Sequence, residues 1–472
     1  METMSYGTEE HDTIVALSTA AGEGGIGLVR LSGDRAGAIL CALYRTPSGL
    51  KRERFTPRLM TYGFAVDEGG AKIDEIMATW LAAPATYTRE EMVEIGCHGG
   101  VTVTRAILER VMRLGARMAR PGEFSKRAFL NGRIDLVQAE GIIDLIRSRS
   151  EKGWKTAFSQ LDGRLSEAIG TLEEKLVGLL AELEASIDFP DEELEIADDR
   201  RIGGELAALA AAAERLVATY GQGRLYREGI GVAIVGRPNV GKSSLMNALL
   251  EADRVIVTDT PGATRDTVEE TLHIEGVAVR IVDTAGLRET DDTAERFGVE
   301  RSLKAARQAD ILLLLVDRSS PLTDEDRAVV QTLEKEAISA DVLVVENKAD
   351  LPDRLTGADR ALLSTLAGTT VALSAKSGEG LDRLRSALGA LMAQKGEGLG
   401  EGPVLTRERH CALLRRVAES ARRGGETLTS GLSREFIAAE LGDAKEALEE
   451  LTGKVVDDQV VNRIFEEFCI GK

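Results

Sequence analysis

The feature that most constrains the fold is a glycine loop at residues 236–243, which reads GRPNVGKS. It follows the apolar run VAIV and precedes the run SLMNALL, so a strand, a loop and a helix can be read in order. Gly236 and Gly241 let the backbone turn its N–H groups toward phosphate oxygens, and the next helix adds the positive end of its dipole. Lys242 would reach the outer phosphates, and the Ser243 hydroxyl would hold Mg²⁺. A simple glycine turn would not need these flanking elements, so the pattern predicts a phosphate-binding P-loop.

The length of 472 residues predicts two or three domains, each long enough to bury a core. Residues 1–10 lack both the basic and the apolar parts of a signal peptide, which predicts a cytoplasmic location. The longest obvious apolar run, at 311–316, is too short to cross a bilayer and suits a buried strand. The four cysteines form no Cys-x-x-Cys pair, so their spacing argues against zinc and against a disulfide framework.

The formal net charge of −19 argues against non-specific binding of nucleic acid by the bulk surface. A polyanionic partner would therefore need a local basic patch. Two sets of arginines are candidates, although such a set is more often a solvated helix face. The first set is Arg105, Arg110, Arg113, Arg117 and Arg120, and the second is Arg415, Arg416, Arg422 and Arg423.

The pattern of apolar residues divides the chain into four segments. Residues 1–131 mix alternating and helical stretches and predict an α+β domain, whereas 132–228 and 395–472 predict helices. One stripe, with steps of three and four, predicts a single long amphipathic helix: Leu165, Ile169, Leu172, Leu176, Leu179, Leu183 and Ile187. The simplest topology inserts the P-loop domain, 229–394, between two parts of one helical domain. An independent C-terminal domain is the alternative.

Three shorter features of the sequence give further expectations. The glycine-rich stretch 22–27 is only a weak nucleotide signal, because it lacks the βαβ context of a nucleotide site, and it is as likely to be a turn. The run Gly221, Gln222, Gly223 is expected to end the preceding helix. His98, which is followed by two glycines, could be catalytic, but a structural hydrogen-bonding role is favoured for an isolated histidine.

Three further motifs identify the nucleotide. Asp283, at a strand end, can hold the Mg²⁺ shell while the Gly286 N–H meets the terminal phosphate. The motif NKAD at 347–350 follows another strand, and its Asp350 can accept two hydrogen bonds from guanine, a pair that adenine does not offer on that edge. The motif SAK at 374–376 would bring a backbone N–H to the guanine oxygen. With the P-loop, these elements in this order predict GTP.

The position that should orient the attacking water is unusual. In Ras-like GTPases a glutamine follows the Asp-x-x-Gly motif, whereas this chain has Leu287 there, which cannot orient water. Either hydrolysis is slow, or the water is positioned from elsewhere. Several carboxylates follow closely, although the run could equally be a solvated loop: Glu289, Asp291, Asp292 and Glu295.

Further motifs accompany the P-loop with its asparagine, and they read TDTPGATRD at 258–266, DTAGLRE at 283–289 and CIGK at 469–472. The first domain contains TIVA at 13–16, GIG at 25–27, RPGEFS at 120–125 and RAFLN at 127–131. With these motifs, the chain over nearly its whole length resembles the MnmE (TrmE) family of tRNA-modification GTPases. The resemblance has structural implications. It implies an N-terminal α+β domain that binds tetrahydrofolate and dimerises, an all-α helical domain, and an inserted Ras-like α/β GTPase domain.

The resemblance also implies a reaction. A homodimer would act with an FAD-containing MnmG-type partner, in a heterotetramer, on carbon 5 of the wobble uridine of certain tRNAs. Its cofactors would be GTP, Mg²⁺, K⁺ and 5-formyl- or 5,10-methylene-tetrahydrofolate. By position, the folate contacts fall on Arg30, Glu94, Arg133 and Lys472. The family often has lysine where Arg133 stands, so the charge is kept while its geometry differs.

For the GTPase centre the resemblance implies a K⁺ ion where other enzymes use an arginine finger, and it assigns water positioning to Glu295. The catalytic set is then Lys242, Asp283, Arg288 and Glu295. Metal contacts fall on Ser243 and Thr264 for Mg²⁺, and on Asn239, Thr258, Thr260 and Ala263 for the K⁺ loop, where the family commonly has threonine in place of Ala263. The nucleotide-binding set comprises Asn239, Val240, Gly241, Lys242, Ser243, Ser244, Thr258, Asp259, Thr260, Pro261, Gly262, Ala263, Thr264, Asp283, Thr284, Ala285, Gly286, Asn347, Lys348, Ala349, Asp350, Ser374, Ala375 and Lys376.

Three points stay open at the level of sequence. Cys469 could be an activated thiol near the folate or a small apolar residue. A ribosome-assembly switch would share the GTPase motifs, but not the folate-type segments or the CIGK end. A folate-binding module with a vestigial GTPase is disfavoured, because every nucleotide motif is intact.

Overall fold

A computed structural model describes residues 12–20, 22–188, 199–252, 271–281, 306–307, 309–336, 340–396 and 402–472. None of the helices within these ranges is long and apolar enough to cross a membrane.

The N-terminal domain is an α+β unit built on a mostly antiparallel sheet. Its elements are β1 (Ile14–Leu17), β2 (Gly24–Ser32), α1 (Ala36–Leu43), β3 (Tyr44–Arg45), β4 (Thr61–Val66), β5 (Lys72–Leu81), β6 (Met92–Gly99), α2 (Val101–Arg113), β7 (Arg117–Met118) and α3 (Glu123–Leu130). The strands run in the order β3-β4-β5-β6-β2-β1-β7, with β1 and β7 parallel. The main apolar cluster of this domain contains residues of α1 and α2 together with residues of the strands.

The glycine run that the sequence suggests as a turn is largely strand. β2 begins at Gly24, and its partner β6 extends to Gly99. A Cβ at Gly27 would lie 2.6 Å from Cγ2 of Thr104 on α2, so a glycine lets the helix approach the sheet. The turn interpretation is therefore wrong for Gly24 to Gly27, which are strand, and at Gly27 the lack of a side chain serves close packing.

The chain then forms helices α4 (Leu136–Arg147), α5 (Glu151–Leu161), α6 (Arg164–Asp188), α7 (Asp199–Ala218) and α8 (Tyr220–Glu228). The predicted long helix is confirmed as α6, and its stripe from Leu165 to Leu183 is buried. The preceding helix α7 ends at Ala218, close to the predicted place, but Gly221 and Gly223 do not end it, because both lie within α8. A Cβ at Gly223 would lie 2.0 Å from the Leu405 carbonyl oxygen, so this glycine admits a neighbouring backbone.

The P-loop domain is an α/β unit with a largely parallel sheet. Its elements are β8 (Ile230–Val235), α9 (Lys242–Ala252), β9 (Thr271–Ile274), β10 (Val277–Ile281), β11 (Ile311–Asp317), α10 (Asp324–Lys335), β12 (Asp341–Asn347), α11 (Gly357–Leu363), β13 (Thr369–Ala372) and α12 (Leu381–Gly396). The order is β13-β12-β11-β8-β10-β9, and β9 pairs antiparallel at the edge. β8 and β11 are buried throughout, as strands covered on both faces are.

Three more helices complete the chain: α13 (Glu408–Thr429), α14 (Arg434–Thr452) and α15 (Asp458–Glu466). One apolar cluster joins α13 and α14 to α6 and α7, with Leu414 and Leu448 fully buried beside Leu176 and Leu206. The two helical segments therefore share a single core. The predicted architecture, a helical domain interrupted by an inserted α/β domain, is confirmed.

Candidate functional site

The P-loop lies between the buried strand β8 and the first turn of α9. Asn239 has φ 63° and Gly241 has φ 101°, so both occupy the left-handed region that the loop geometry requires. A Cβ at Gly241 would also lie 2.3 Å from Nδ2 of Asn347, so a larger residue would collide as well as strain the backbone. The sequence prediction of a strand, a glycine loop and a helix is confirmed.

Lys242 is folded over this loop. Its Nζ donates hydrogen bonds to the carbonyl oxygens of Gly236 (2.8 Å) and Arg237 (2.9 Å). Burial, and then the nearby Arg237 charge, lower the pKa of the Lys242 ammonium. An anion bound at the loop would offset both effects, because its negative charge favours the protonated form of Lys242. Ser243 and Ser244 follow at the start of α9 and are exposed, so their hydroxyls are accessible to a ligand.

Asn347 connects the loop to the base-recognition motifs. Its buried Nδ2 donates to the Val240 carbonyl oxygen at 2.7 Å, and its Oδ1 accepts from the Ala375 N–H at 2.9 Å. One amide thus joins the P-loop to the 374–376 turn and holds them at a fixed separation. Neighbouring Lys348 donates from Nζ to Oδ2 of Asp317, at the end of β11, over 2.7 Å.

Asp350 lies at the exposed rim of the same site. A hydrogen bond from the Ser374 side chain, together with the charges of Lys376 and Lys348, holds the pKa of its carboxyl below its usual value. The group is therefore ionised at neutral pH and can accept hydrogen bonds from ring and exocyclic N–H donors of a guanine base. The structure brings these sequence-predicted residues together at the carboxyl ends of β8, β11 and β12.

The remaining predicted residues of the GTPase centre lie outside the described residues. They are Thr258, Asp259, Thr260, Pro261, Gly262, Ala263, Thr264, Asp283, Thr284, Ala285, Gly286, Arg288 and Glu295, as well as Leu287.

The predicted folate residues converge at a second centre on the N-terminal sheet. Arg30 on β2 donates from Nε and Nη2 to Oε1 of Glu94 on β6, at 3.0 and 2.8 Å. The guanidinium carbons of Arg30 and Arg133 lie 5.8 and 4.7 Å from the ring centroid of Tyr87. Burial, and then the charge of Arg30, lower the pKa of Lys472.

The chain terminus reaches this centre because the C-terminal tail, residues 467–472, docks on β1. The Ser18 hydroxyl donates to the Gly471 carbonyl oxygen at 3.0 Å, across 453 positions of sequence. Gly471 has φ 96°, and a Cβ there would lie 2.3 Å from the Leu17 carbonyl oxygen. Cys469 is exposed in this tail as a free thiol.

Most arginines of the two predicted basic patches form ion pairs. His98 also forms a pair, with Asp74, at 2.6 Å. In the first arginine set, Arg105 pairs with Glu109, Arg110 and Arg113 with Glu68, and Arg117 with Asp12 and Glu123. In the second set, Arg415 pairs with Glu408, Arg416 with Asp443, Arg422 with Glu214 and Arg423 with Glu440. These partners favour the solvated-face interpretation of both sets.

Sequence reasoning missed a buried polar network on α4. Asp144 accepts from Arg227 at 2.9 Å and from Arg407 at 2.7 Å, and it is 5% exposed. One turn earlier, Glu140 pairs with Arg409 and His410. The signal was available, since Glu140 and Asp144 stand four apart within the apolar run of α4.

Comparison with known proteins agrees with this architecture. The family model described as "GTP-binding protein TrmE N-terminus" matches residues 13–133, and the model described as "MnmE helical domain" matches residues 136–469. A relative from Syntrophotalea carbinolica named "tRNA modification GTPase MnmE" is 46% identical over 98% of this chain and 99% of its own length. Relatives of the same name from Moorella thermoacetica and Shouchella clausii are each 43% identical over 98% of this chain, and over 99% and 100% of their own lengths.

Proposed function

The chain belongs to the MnmE family of tRNA modification GTPases, and on that basis we propose that it is a K⁺-dependent GTPase of the cytoplasm that modifies carbon 5 of the wobble uridine in certain tRNAs. It works as a homodimer within a heterotetramer that contains an FAD-bearing MnmG-type partner. The group installed is of the carboxymethylaminomethyl or aminomethyl kind. Its one-carbon unit comes from 5-formyl- or 5,10-methylene-tetrahydrofolate.

The observation that carries the folate part is the docking of the C-terminal tail beside the Arg30–Glu94 pair. A pterin ring presents adjacent N–H donors and acceptors, which suit a carboxylate and a guanidinium held side by side. Lys472 adds a cation from the opposite end of the chain, and the Tyr87 ring offers a flat apolar face. Together these groups favour a planar, partly charged ligand at Glu94.

The GTPase part rests on the P-loop and on the motifs that Asn347 joins to it. Mg²⁺ would be held by Ser243 with Thr264, and K⁺ by Asn239 with the 258–263 loop. Asn239 fits that role, because its side chain is exposed at the loop and has no hydrogen-bond partner among the residues that the structure describes. The catalytic groups we assign are Lys242, Asp283, Arg288 and Glu295.

Contacts at the turn between α4 and α5 support coupling of the GTPase domain to the folate centre. The His273 ring hydrogen-bonds to the Arg149 carbonyl oxygen, and the Lys152 N–H donates to the Gly276 carbonyl oxygen at 3.1 Å. Both partners belong to the β9–β10 hairpin, which lies in sequence between the K⁺-loop motif and the Asp283 motif. On the other side of the turn, Arg147 donates to the carbonyl oxygen of Glu467 in the C-terminal tail.

Homodimer formation is supported by exposed apolar side chains on the N-terminal sheet. Tyr62 and Met77 are opposite one another on β4 and β5, and they are 44% and 39% exposed. Met60, just before β4, is 63% exposed. Apolar neighbours on one exposed face are typical of a surface that a second copy covers.

The test is GTP hydrolysis by the purified chain in K⁺ and in Na⁺ at equal ionic strength, with Asn239→Ala measured beside it. We expect strong stimulation by K⁺ that the variant loses, while both proteins still bind GTP. Equal slow rates in both salts would contradict the cation mechanism, and would point to Ala263 as the residue that weakens the K⁺ loop.

A further inference from the structure

A pocket on the N-terminal domain is lined by three arginines. It measures about 500 Å³ and opens to solvent. Arg58, Arg89 and Arg133 lie around it, and the chain between β5 and β6 supplies most of the remaining wall. The wall consists of Leu81, Pro84, Ala85, Thr86 and Tyr87. We call this feature the arginine pocket.

Within the part of the chain that the structure describes, the three guanidinium groups lack acidic partners. Among the carboxylates that the structure describes, none forms an ion pair with Arg58, Arg89 or Arg133. Elsewhere this acidic protein pairs its arginines with nearby carboxylates, including those on α2 and α13. Three guanidinium groups without an ion-pair partner among the described residues therefore make the surface of this concavity locally positive, which favours the binding of an anion.

The pocket is held in shape before any ligand arrives. Arg58 donates from Nη2 to the Ala85 carbonyl oxygen at 2.7 Å, and Arg89 donates from Nη1 to the Asn131 carbonyl oxygen at 2.8 Å. Asn131 in turn donates from Nδ2 to the Thr88 carbonyl oxygen at 2.6 Å. Each arginine keeps further N–H donors free for a ligand, and the fixed side chains lose little entropy on binding.

The arginine pocket adjoins the proposed folate centre. Tyr87 and Arg133 line the pocket, and the same Tyr87 ring also lies under Arg30, which pairs with Glu94. A ligand whose ring system is bound at Glu94 would therefore extend its far end toward Arg58 and Arg89. In a folate, that far end is a glutamate, or a chain of γ-linked glutamates in which each residue carries a free α-carboxylate.

We propose that the arginine pocket binds the γ-linked polyglutamate tail of the tetrahydrofolate, so that the protein favours polyglutamylated over monoglutamyl folates. The proposal rests on the folate role proposed above and assigns the tail to a defined place. Guanidinium groups bind carboxylates and phosphates alike, so the position of the pocket decides between them. A concavity that adjoins the proposed folate centre through Tyr87 and Arg133 suits a slender tail better than an RNA backbone.

The experiment measures, by calorimetry on the full-length chain, the affinity for 5-formyl-tetrahydrofolate with one glutamate and with three. Exposed guanidinium–carboxylate pairs contribute about two- to fivefold in affinity each, so we expect roughly tenfold tighter binding of the triglutamate. The double variant Arg58→Gln, Arg89→Gln should reduce that ratio to near one. Arg58 and Arg89 both have left-handed backbone. Glutamine adds no new backbone strain there, because it replaces one non-glycine residue with another.

Arg105→Gln is the matched control, because it removes one exposed guanidinium on α2, outside the pocket. It should keep the tenfold ratio, and the wild-type ratio should shrink as salt is raised. Failure of the wild type to bind either folate would refute the folate role itself. Binding of both folates with equal affinity, or a ratio unchanged in the double variant, would overturn the pocket assignment alone. If that variant instead weakened only tRNA binding, the pocket would be an RNA surface.

Discussion

Replacing Asn347 with alanine should destabilise the GTPase domain before any nucleotide is bound. The change leaves two buried groups without partners, the Val240 carbonyl oxygen and the Ala375 N–H, which the amide now contacts at 2.7 and 2.9 Å. An unsatisfied buried group costs about 1 to 3 kcal/mol, and water entering the small void would recover part of this. We therefore expect a loss of about 3 kcal/mol in the free energy of unfolding of this domain.

Hydrogen exchange of the full-length chain gives a local measurement, because amides of the buried strands β8 and β11 report unfolding of this domain alone. The Ala375 amide should exchange fastest in the variant, since Oδ1 of Asn347 is its acceptor. The affinity for GTP and GDP should fall together, because the P-loop and the base motif are no longer held at a fixed separation.

Two matched variants sharpen this prediction. Asn347→Asp keeps the acceptor for Ala375 but sets a carboxylate oxygen against the Val240 carbonyl, so it should be at least as damaging as alanine. Asn462→Ala removes an exposed amide whose Oδ1 accepts from Lys126, and it should cost less than about 0.5 kcal/mol. If Asn347→Ala lost less than about 1 kcal/mol and left Ala375 exchange unchanged, the bridging role would be refuted.

Two further outcomes concern the helical domain. Arg147→Ala, which removes the bond to the tail at Glu467, should keep the GTP hydrolysis rate but lower tRNA modification with the proposed partner protein by about fivefold; equal loss of both activities would refute the coupling route. Burial raises the pKa of Glu140, but His410 and Arg409 outweigh it and hold that pKa well below the ordinary 4.5. A depressed pKa stabilises the fold above pH about 4.5, with loss on acidification below it. Glu140→Gln should therefore cost about 3 kcal/mol in urea unfolding at pH 7 and less at pH 4; an equal cost at both would contradict the pairing.

The nucleotide motifs could be predicted from sequence because each is local. A strand, a turn and a helix in direct succession define the P-loop, and NKAD and SAK follow strands whose carboxyl ends must meet at one edge of a parallel sheet. The two hydrogen bonds of Asn347, to Val240 in the P-loop and to Ala375 in the 374–376 turn, could not be predicted. They depend on the distances between loops that lie far apart in sequence.

The proposed folate centre could not be predicted from local sequence patterns. Ser18 and Gly471 meet across nearly the whole chain, and only the family resemblance suggested that Lys472 belongs beside Arg30. Arg58 and Arg89 carry no motif at all. Their importance comes from the lack of an ion-pairing carboxylate for either arginine within the described residues, which is a property of the folded surface.

The way the GTPase domain is inserted explains why its motion should reach the helical domain. The chain leaves through α8, where Arg227 is bound to Asp144 on α4, and it returns at Leu405, whose N–H donates to the Thr219 hydroxyl at 2.9 Å. Gln160 on α5 also donates to the Val404 carbonyl oxygen at 3.0 Å. Both ends of the insertion are therefore fixed to the helices that carry the α4–α5 turn. A rotation of the inserted domain must strain these bonds or move α4 and α5 with it, and α4 ends at the residue that holds the C-terminal tail.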